Sequence, residues 1–512
     1  MNSTNLNRRL DILFVEPDSS AKAYQSLSKV YSAIETPTWS LLLAQSCRSK
    51  GFGVAILDCN AEHLADEQAI LRIREANPRI VCFVLYGQNP NSSTTSMIGG
   101  TRLCAQLKQD YPEYPTCFAG PHVNALPKEV LSYSFIDIVL LNEGVYALHD
   151  LLSCDLKNDL GKINGIGYKR DKNVVLNPPR RVVPENKMDV DLPGYAWDLL
   201  PFNKKPLDLY RSHFWHADYN HNQRTPFAAL YTSLGCPFKC DFCMINIINR
   251  IDNNDGVNSA DSSQIRYWSP EFILREFDKL VKMGVQTIRI SDEMFYLNPR
   301  HFKPLLKGLI KRDYDLRLWS YARVDTITPK YLKIFRQAGM KWLAIGLETG
   351  NQLIRQKVSK GKFDEIDIRK ISREIDDHGI NVAANYIFGF PDDNFETMQH
   401  TLDLACELNT PFANFYTCIA LPGTPLYFKA ISNGWKLPDS YEGYAFFSYE
   451  CLPLPTNYLS AIDILKFRDE AWQKYHARKE YLGLIERKFG VEQRDNMEDL
   501  IKIKIMRKLL GD

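Results

Sequence analysis

Strand-length apolar runs alternate with amphipathic stretches twice along this 512-residue chain, and that repeated alternation restricts the fold more than any other feature. The first series occupies residues 11–153. DILFVEP, VAILDCN, IVCFVLYG, PTCFAG and DIVLLNEG are short and rich in Val, Ile and Phe, while residues 39–50, ending at Gly51, and residues 71–77 have helical character. Short buried strands separated by helices predict a parallel sheet covered on both faces, a doubly wound, Rossmann-like α/β domain. Ligands of such sheets sit outside the carboxyl ends of the strands. That rim comprises residues 58–60, 87–89, 120–124 and 142–144.

The second series begins at FAALYTSL and runs through TIRISDEM, RLWSYARV, WLAIGLET, NVAANYIFGF and NFYTCIAL, with helical stretches such as 270–283 and 330–337 between them. Six such units in about 200 residues suit a partial (β/α)6 barrel better than a closed eight-unit one. The expected organisation is a first domain over 1–153, an ordered connector over 154–225, the partial barrel over 226–430, and a mostly helical, aromatic-rich region over 431–512. The connector holds two strand-like pieces, GIGYKR and VVLN, and then Trp197, Leu199 and Leu200, which a flexible tether would place poorly.

Composition narrows the partners. A formal charge of +2 with no basic stripe gives no reason to expect nucleic acid. The apolar run 12–15 is too short for a signal peptide or a membrane span, so a cytoplasmic protein is expected. The twelve cysteines are scattered, apart from one cluster, which is not the pattern of a secreted disulfide scaffold.

That cluster, LYTSLGCPFKCDFCMI, places Cys236, Cys240 and Cys243 in a C-x3-C-x2-C array after a strand. Three thiolates on one tight loop can ligate three irons of a [4Fe–4S] cluster and leave the fourth open. Zinc is the alternative, but a closed zinc site wants a fourth ligand. The nearby His213, His216 and His221 lack the usual pairing. The array at the end of the first strand of a six-unit barrel, with Phe242 before the third cysteine, resembles the radical S-adenosylmethionine (SAM) superfamily. The resemblance implies that SAM binds the open iron and is cleaved reductively to methionine and a 5′-deoxyadenosyl radical. It also implies SAM contacts at Phe242, at Asp292 and Glu293 ending the second strand, at Arg323 ending the third and at Glu348 in GLETG ending the fourth. Gly389 in GFPDDNFET and Pro422 in ALPGTPLY complete that set. GFPDDNFET matches the family's G-x-P-G-E-T only in part, with Asp392 and Asp393–Asn394 at the usual glycine and glutamate positions.

The first domain lacks G-x-G-x-x-G and any phosphate loop. Ahead of a radical SAM barrel it resembles the cobalamin-binding module of that subgroup, through TPTWSLLLAQSCRSKGFGVAILDCNAE, AGPHVNALP and LNEG. The implied cobalamin contacts are Asn60, Gly87, Gln88, Gly120, Pro121, His122, Val123, Asn142, Glu143 and Gly144. Modules that bind cobalt through histidine carry D-x-H-x-x-G. Here Asn60 stands at the histidine position and His63, three residues on, reads as a surface or helix residue.

The combined resemblance implies a class B-like methyltransferase with three cofactors: the cluster, SAM and cobalamin. Its substrate would be a small molecule methylated at an unactivated carbon, with electrons from a flavodoxin- or ferredoxin-like donor. A cobalamin-dependent cyclase or oxidative rearrangement enzyme is the second enzymatic reading, and a cofactor-dependent sensor the non-catalytic one. After residue 430, Tyr441, Tyr444, Phe446, Phe447 and Tyr449 either line a pocket or pack, and the basic KIKIMRKLL reads as a solvated amphipathic helix.

Overall fold

A computed structural model describes residues 10–171, 173–250, 257–358 and 367–512. The strands of the first domain are β1 (Ile12–Glu16), β2 (Val54–Asp58), β3 (Ile80–Val84), β4 (Thr116–Ala119), β5 (Ile138–Leu140), β6 (Ile166–Arg170) and β7 (Asn173–Leu176). They form one sheet in the order β2-β1-β3-β4-β5-β6-β7. The first five are parallel, and β6 and β7 complete the edge antiparallel. GIGYKR and VVLN, read in sequence as connector, are these two edge strands. The order reverses between β1 and β3, the switch point at which α/β sheets bind ligands.

Both faces of this sheet are buried, for the reason its strands read as continuous apolar runs. Ile12 and Phe14 point into one core while Leu13 and Val15 point into the other, the period-two alternation of a strand. The Ile12 side is continuous with the interior of the second domain, through residues such as Tyr210, Trp215 and Leu230. The helix Thr38–Ser49 covers this side; Lys50 caps it and Gly51 follows at φ +89°.

The second domain holds β8 (Phe227–Leu230), β9 (Ser233–Cys236), β10 (Gln264–Tyr267), β11 (Thr287–Ile290), β12 (Arg317–Arg323), β13 (Met340–Glu348), β14 (Asn381–Phe388) and β15 (Phe412–Thr417). Six of them make a parallel sheet in the order β15-β14-β13-β12-β11-β8, an open barrel of six βα units. One departure is instructive. FAALYTSL is not a single strand, because the chain leaves the barrel after Leu230, and β9 pairs antiparallel with β10 instead. Asp292 holds that break: its carboxylate accepts hydrogen bonds from the Thr232 amide at 2.5 Å, the Thr232 hydroxyl at 2.6 Å and the Ser233 hydroxyl at 2.6 Å.

The C-terminal region is helical over Ala461–His476, Lys479–Phe489 and Val491–Ile501. KIKIMRKLL is not the expected helix. It runs irregularly into a single 3-10 turn at Lys508–Leu510. Arg507 is the reason: it is 1% exposed and donates to Asp469 and to the carbonyls of Phe446 and Ser448. A buried guanidinium with its carbonyl and carboxylate partners fixes the tail against the body more firmly than helical hydrogen bonds would.

Candidate functional site

One cavity of about 1130 Å³ lies where the carboxyl ends of the two parallel sheets face each other. Its wall takes Glu16, Asn60, Gly87 and Gln88 from the first domain and Phe242, Glu293, Arg323 and Glu348 from the barrel. The C-terminal helix and tail close a third side, with Phe446, Phe447, Arg468 and Trp472 among the wall residues. A pocket for one drug-sized ligand occupies roughly 300–1,000 Å³, so this space exceeds what one such molecule needs.

The cysteine loop stands at the barrel side. Gly235 enters it at φ +93°, and a Cβ there would collide with the Gln264 carbonyl on β10. Only glycine lets β9 pair so closely at that turn. Cys236 is buried, and Cys240 and Cys243 are half-buried. Burial first, then the charges of Cys240 and its neighbours, push the Cys243 thiol up to about 12, while Cys236 is raised by burial and by the other two thiolates. Three mutually repelling thiolates need positive charge or metal among them. Two donors already point at the sulfurs: Arg323 Nη1 lies 3.3 Å from Cys240 Sγ, and Asn91 Nδ2 lies 3.6 Å from Cys243 Sγ. Among the described residues no three His, Cys, Asp or Glu side chains converge as a single-ion site needs. The donor set is three thiols on one loop with amide and guanidinium donors behind them, which suits an iron–sulfur cluster.

Two half-buried barrel carboxylates on the cavity wall are displaced towards their protonated forms. Burial is the main cause for both. It raises Glu293 to about 8, with Asp292 adding to the effect, and Glu293 Oε2 has no hydrogen-bond partner. Glu348 is raised to about 7 against the opposing pull of Arg323 and Arg355. Its backbone is in the left-handed region, φ +61°, at a register shift in β13 that turns the side chain towards the cavity. A non-glycine residue held there stores strain that concentrates at functional sites.

Other anticipated residues have different surroundings. Asp292 is fully buried at the β8–β9 break, burial raising it to about 6, and is not on the cavity wall. Gly389 and Pro422 are also off the wall. The Gly389 amide, with that of Phe390, donates to buried Asp393. Of the cobalamin contacts anticipated in the first domain, Asn60, Gly87 and Gln88 reach the wall. The β4 and β5 loops are engaged internally. A Cβ on Gly120 (φ +148°) would strike the Leu85 carbonyl, and Pro121 and Val123 are buried beside it. His122 meets the Thr94 hydroxyl at 3.1 Å and the ring of Tyr441 edge-on. Asn142 accepts from Asn124 Nδ2 through its carbonyl and donates to the Arg180 carbonyl, and Gly144 (φ +78°) starts the next helix. Glu143 accepts from the Val183 amide and, at 2.9 Å, from Arg266 of β10. His63 sits exposed in a turn.

The sequence gives no notice of Glu35, which lies in the Pro- and Thr-containing stretch before the helix Thr38–Ser49, on the cavity wall. It pairs with Arg289 of β11, whose guanidinium lies 4.8 Å from the ring centres of both Trp319 and Tyr321. Burial would raise Glu35, but Arg289 and His213 outweigh it and hold its carboxyl low. Arg289 does leave a sequence signal, a charge inside the apolar strand TIRIS.

The Radical SAM superfamily profile matches residues 230–405, and the B12 binding domain profile matches residues 27–152. Together they cover more than half of the 512 residues. An uncharacterized methyltransferase of Pyrococcus horikoshii is 25% identical over 85% of this chain and 86% of its own. The anaerobic magnesium-protoporphyrin IX monomethyl ester cyclase of Rubrivivax gelatinosus is 25% identical over 81% of this chain and 69% of its own. Among solved structures, the radical SAM methyltransferase TsrM from Kitasatospora setae, with cobalamin and a [4Fe–4S] cluster, superposes with TM-score 0.63 at 16% identity over 93% of this chain and 89% of its own. The cobalamin-dependent radical SAM enzyme OxsB gives 0.65 at 15% identity over 96% and 71%. The B12 binding domain profile followed by the Radical SAM superfamily profile makes this chain a member of the radical SAM enzymes that carry a B12-binding domain.

Proposed function

We propose that the protein is a cobalamin-dependent radical SAM methyltransferase that methylates an unactivated carbon of a small molecule. The observation that carries this reading is the single cavity onto which both sheet rims open. When bound, the cluster and SAM supply hydrogen abstraction and cobalamin supplies the methyl group.

The chain's own residues bind, orient and exclude water. Cys236, Cys240 and Cys243 would hold the cluster through three of its irons, and Arg323, braced by Asp325 at 2.9 Å, would steady the Cys240 sulfur. Glu348, poised near neutrality between Arg323 and Arg355, suits the ammonium end of SAM. Glu293 keeps its proton at neutral pH and offers an O–H donor inside the cavity. Asn60, Gly87 and Gln88 provide the corrin-facing wall. Gly120–Val123 and Asn142–Gly144, in the loops after β4 and β5, brace that wall through their own hydrogen bonds. Phe446 and Phe447, with the tail behind them, keep water out of the third side. Such exclusion protects reactive intermediates from side reactions. We assign the reducing electrons to an external flavodoxin- or ferredoxin-like donor and the protein to the cytoplasm. Among the described residues no helix is long and apolar enough to cross a membrane.

The test is anaerobic reconstitution with iron, sulfide and cobalamin, followed by SAM, a low-potential reductant and candidate substrates. S-adenosylhomocysteine, 5′-deoxyadenosine and a product heavier by one methylene are expected together. Deoxyadenosine with a product lacking that added mass would instead favour cyclisation, the reading suggested by the cyclase relative. Release of neither nucleoside would end both.

A further inference from the structure

We propose that Asn91, on the first domain's β3 loop, is a positioning residue for the iron–sulfur cluster and makes the cluster's reduction potential respond to occupancy of the corrin site. This rests on the assignment of the cluster to Cys236, Cys240 and Cys243.

Both ends of the Asn91 amide are used, and both reach across the domain boundary. Oδ1 accepts the Met244 amide at 2.8 Å, and Nδ2 lies 3.6 Å from Cys243 Sγ. The first bond fixes the orientation, because only the oxygen can receive an N–H, so the NH2 group must face the sulfur. Asn91 is itself held: its backbone N–H donates to the side chain of Asn89 at 3.0 Å, in a short 3-10 turn. The same loop contributes Gly87, Gln88, Asn89 and Asn91 to the cavity wall. A ligand pressing on that wall therefore acts on the segment that holds an N–H donor against a cluster sulfur.

Hydrogen bonds to cluster sulfurs stabilise the reduced, more negative cluster and raise its potential. Arg323 makes the equivalent contact to Cys240 from within the barrel. Asn91 links a cluster sulfur to the first domain's cavity loop.

The experiment is an EPR-monitored redox titration of the reconstituted full-length protein, with and without hydroxocobalamin, for wild type and for N91D. Iron and sulfide content are measured in each sample. In N91D the Met244 amide keeps an acceptor while the sulfur faces a carboxylate oxygen in place of a donor. We expect N91D to load iron normally, with a midpoint potential below that of wild type, and the wild-type potential to move when cobalamin is bound. In N91D that cobalamin-dependent movement should shrink. A wild-type protein without a reduced [4Fe–4S] signal would overturn the cluster assignment itself. A normal signal whose potential is unchanged in N91D overturns only the role of Asn91. Should N91D fail to load iron, the wild-type titration alone decides, and a midpoint indifferent to cobalamin overturns the coupling.

Discussion

The two sheets that face each other across the cavity use their carboxyl-terminal loops in different ways. In the barrel, the strand-end residues Glu293, Arg323 and Glu348 point at the cavity, and two of the three carry protonation equilibria displaced by burial. In the B12-binding domain, the loops after β4 and β5 turn their polar groups inward. Glu143 at 2% exposure is bonded to Arg266 at 3%, and Asn142 is tied to Asn124 and Arg180. The loops after β1, β2 and β3 line the cavity. Fold-level logic marks the whole carboxyl edge as a site. Packing divides that edge into loops that line the cavity and loops whose polar groups are engaged by neighbouring segments of the chain.

The division can be broken by mutation. Cys240→Ala should abolish the brown absorbance of the reconstituted protein and reduce 5′-deoxyadenosine release by more than about 100-fold, since enzyme chemistry lost at a required group commonly falls by such factors. Cobalamin binding, measured by equilibrium dialysis, should persist. Loss of both would mean that the two rims are not separable.

Glu143→Ala tests the fastening half. Removing one partner of a buried ion pair leaves an uncompensated charge and costs about 3–5 kcal/mol. Urea unfolding of the cofactor-free protein should show that loss. A cofactor-contacting loop residue would leave the unloaded protein almost unchanged, so a shift below roughly 0.5 kcal/mol would return Glu143 to the binding half.

Glu293→Gln tests the binding half through pH. The folded carboxyl titrates near 8 and the unfolded one at its ordinary 4.5, so between these values the folded state binds more protons. Stability then falls as pH rises through that window. Glutamine removes the dependence. The two proteins should match below pH 4.5 and diverge by up to about 5 kcal/mol by pH 9, with the variant more stable. Parallel curves would show that Glu293 is not buried as a lone carboxyl.

Most of the architecture was readable from sequence because alternating apolar runs leave few alternatives. All five parallel strands of the first domain and the six-strand barrel are where the runs stand. The site was legible where chemistry needs a fixed spacing, as in Cys236, Cys240 and Cys243. It was less legible where a residue's role depends on its neighbours. Asp292 and Glu293 are adjacent, yet one braces the β8–β9 break and the other borders the cavity. The tail after Ile501 has the composition of a helix, but Asp469, brought close only by folding, holds Arg507 and straightens it. Asn91 carries no sequence signal at all, since its partners lie more than 150 residues away.

The smallest effect sharpens the comparison most. Gln88 sits half-exposed on the cavity wall of the β3 loop, and its side chain takes part in no hydrogen bond found among the described residues. Replacing it with alanine should leave unfolding within about 0.5 kcal/mol of wild type, as for other surface positions free of packing. Loss of one hydrogen bond to a bound corrin is worth about 1 kcal/mol, so cobalamin affinity should weaken roughly fivefold. Titration of the unloaded variant with hydroxocobalamin reads this directly. Gln88→Ala and Glu143→Ala thus form opposite pairs of outcomes, affinity without stability in one and stability as the primary loss in the other. If Gln88→Ala destabilised the fold while binding cobalamin normally, the β3 loop would belong with the fastening loops, and the corrin-facing wall would have to be sought elsewhere on the cavity.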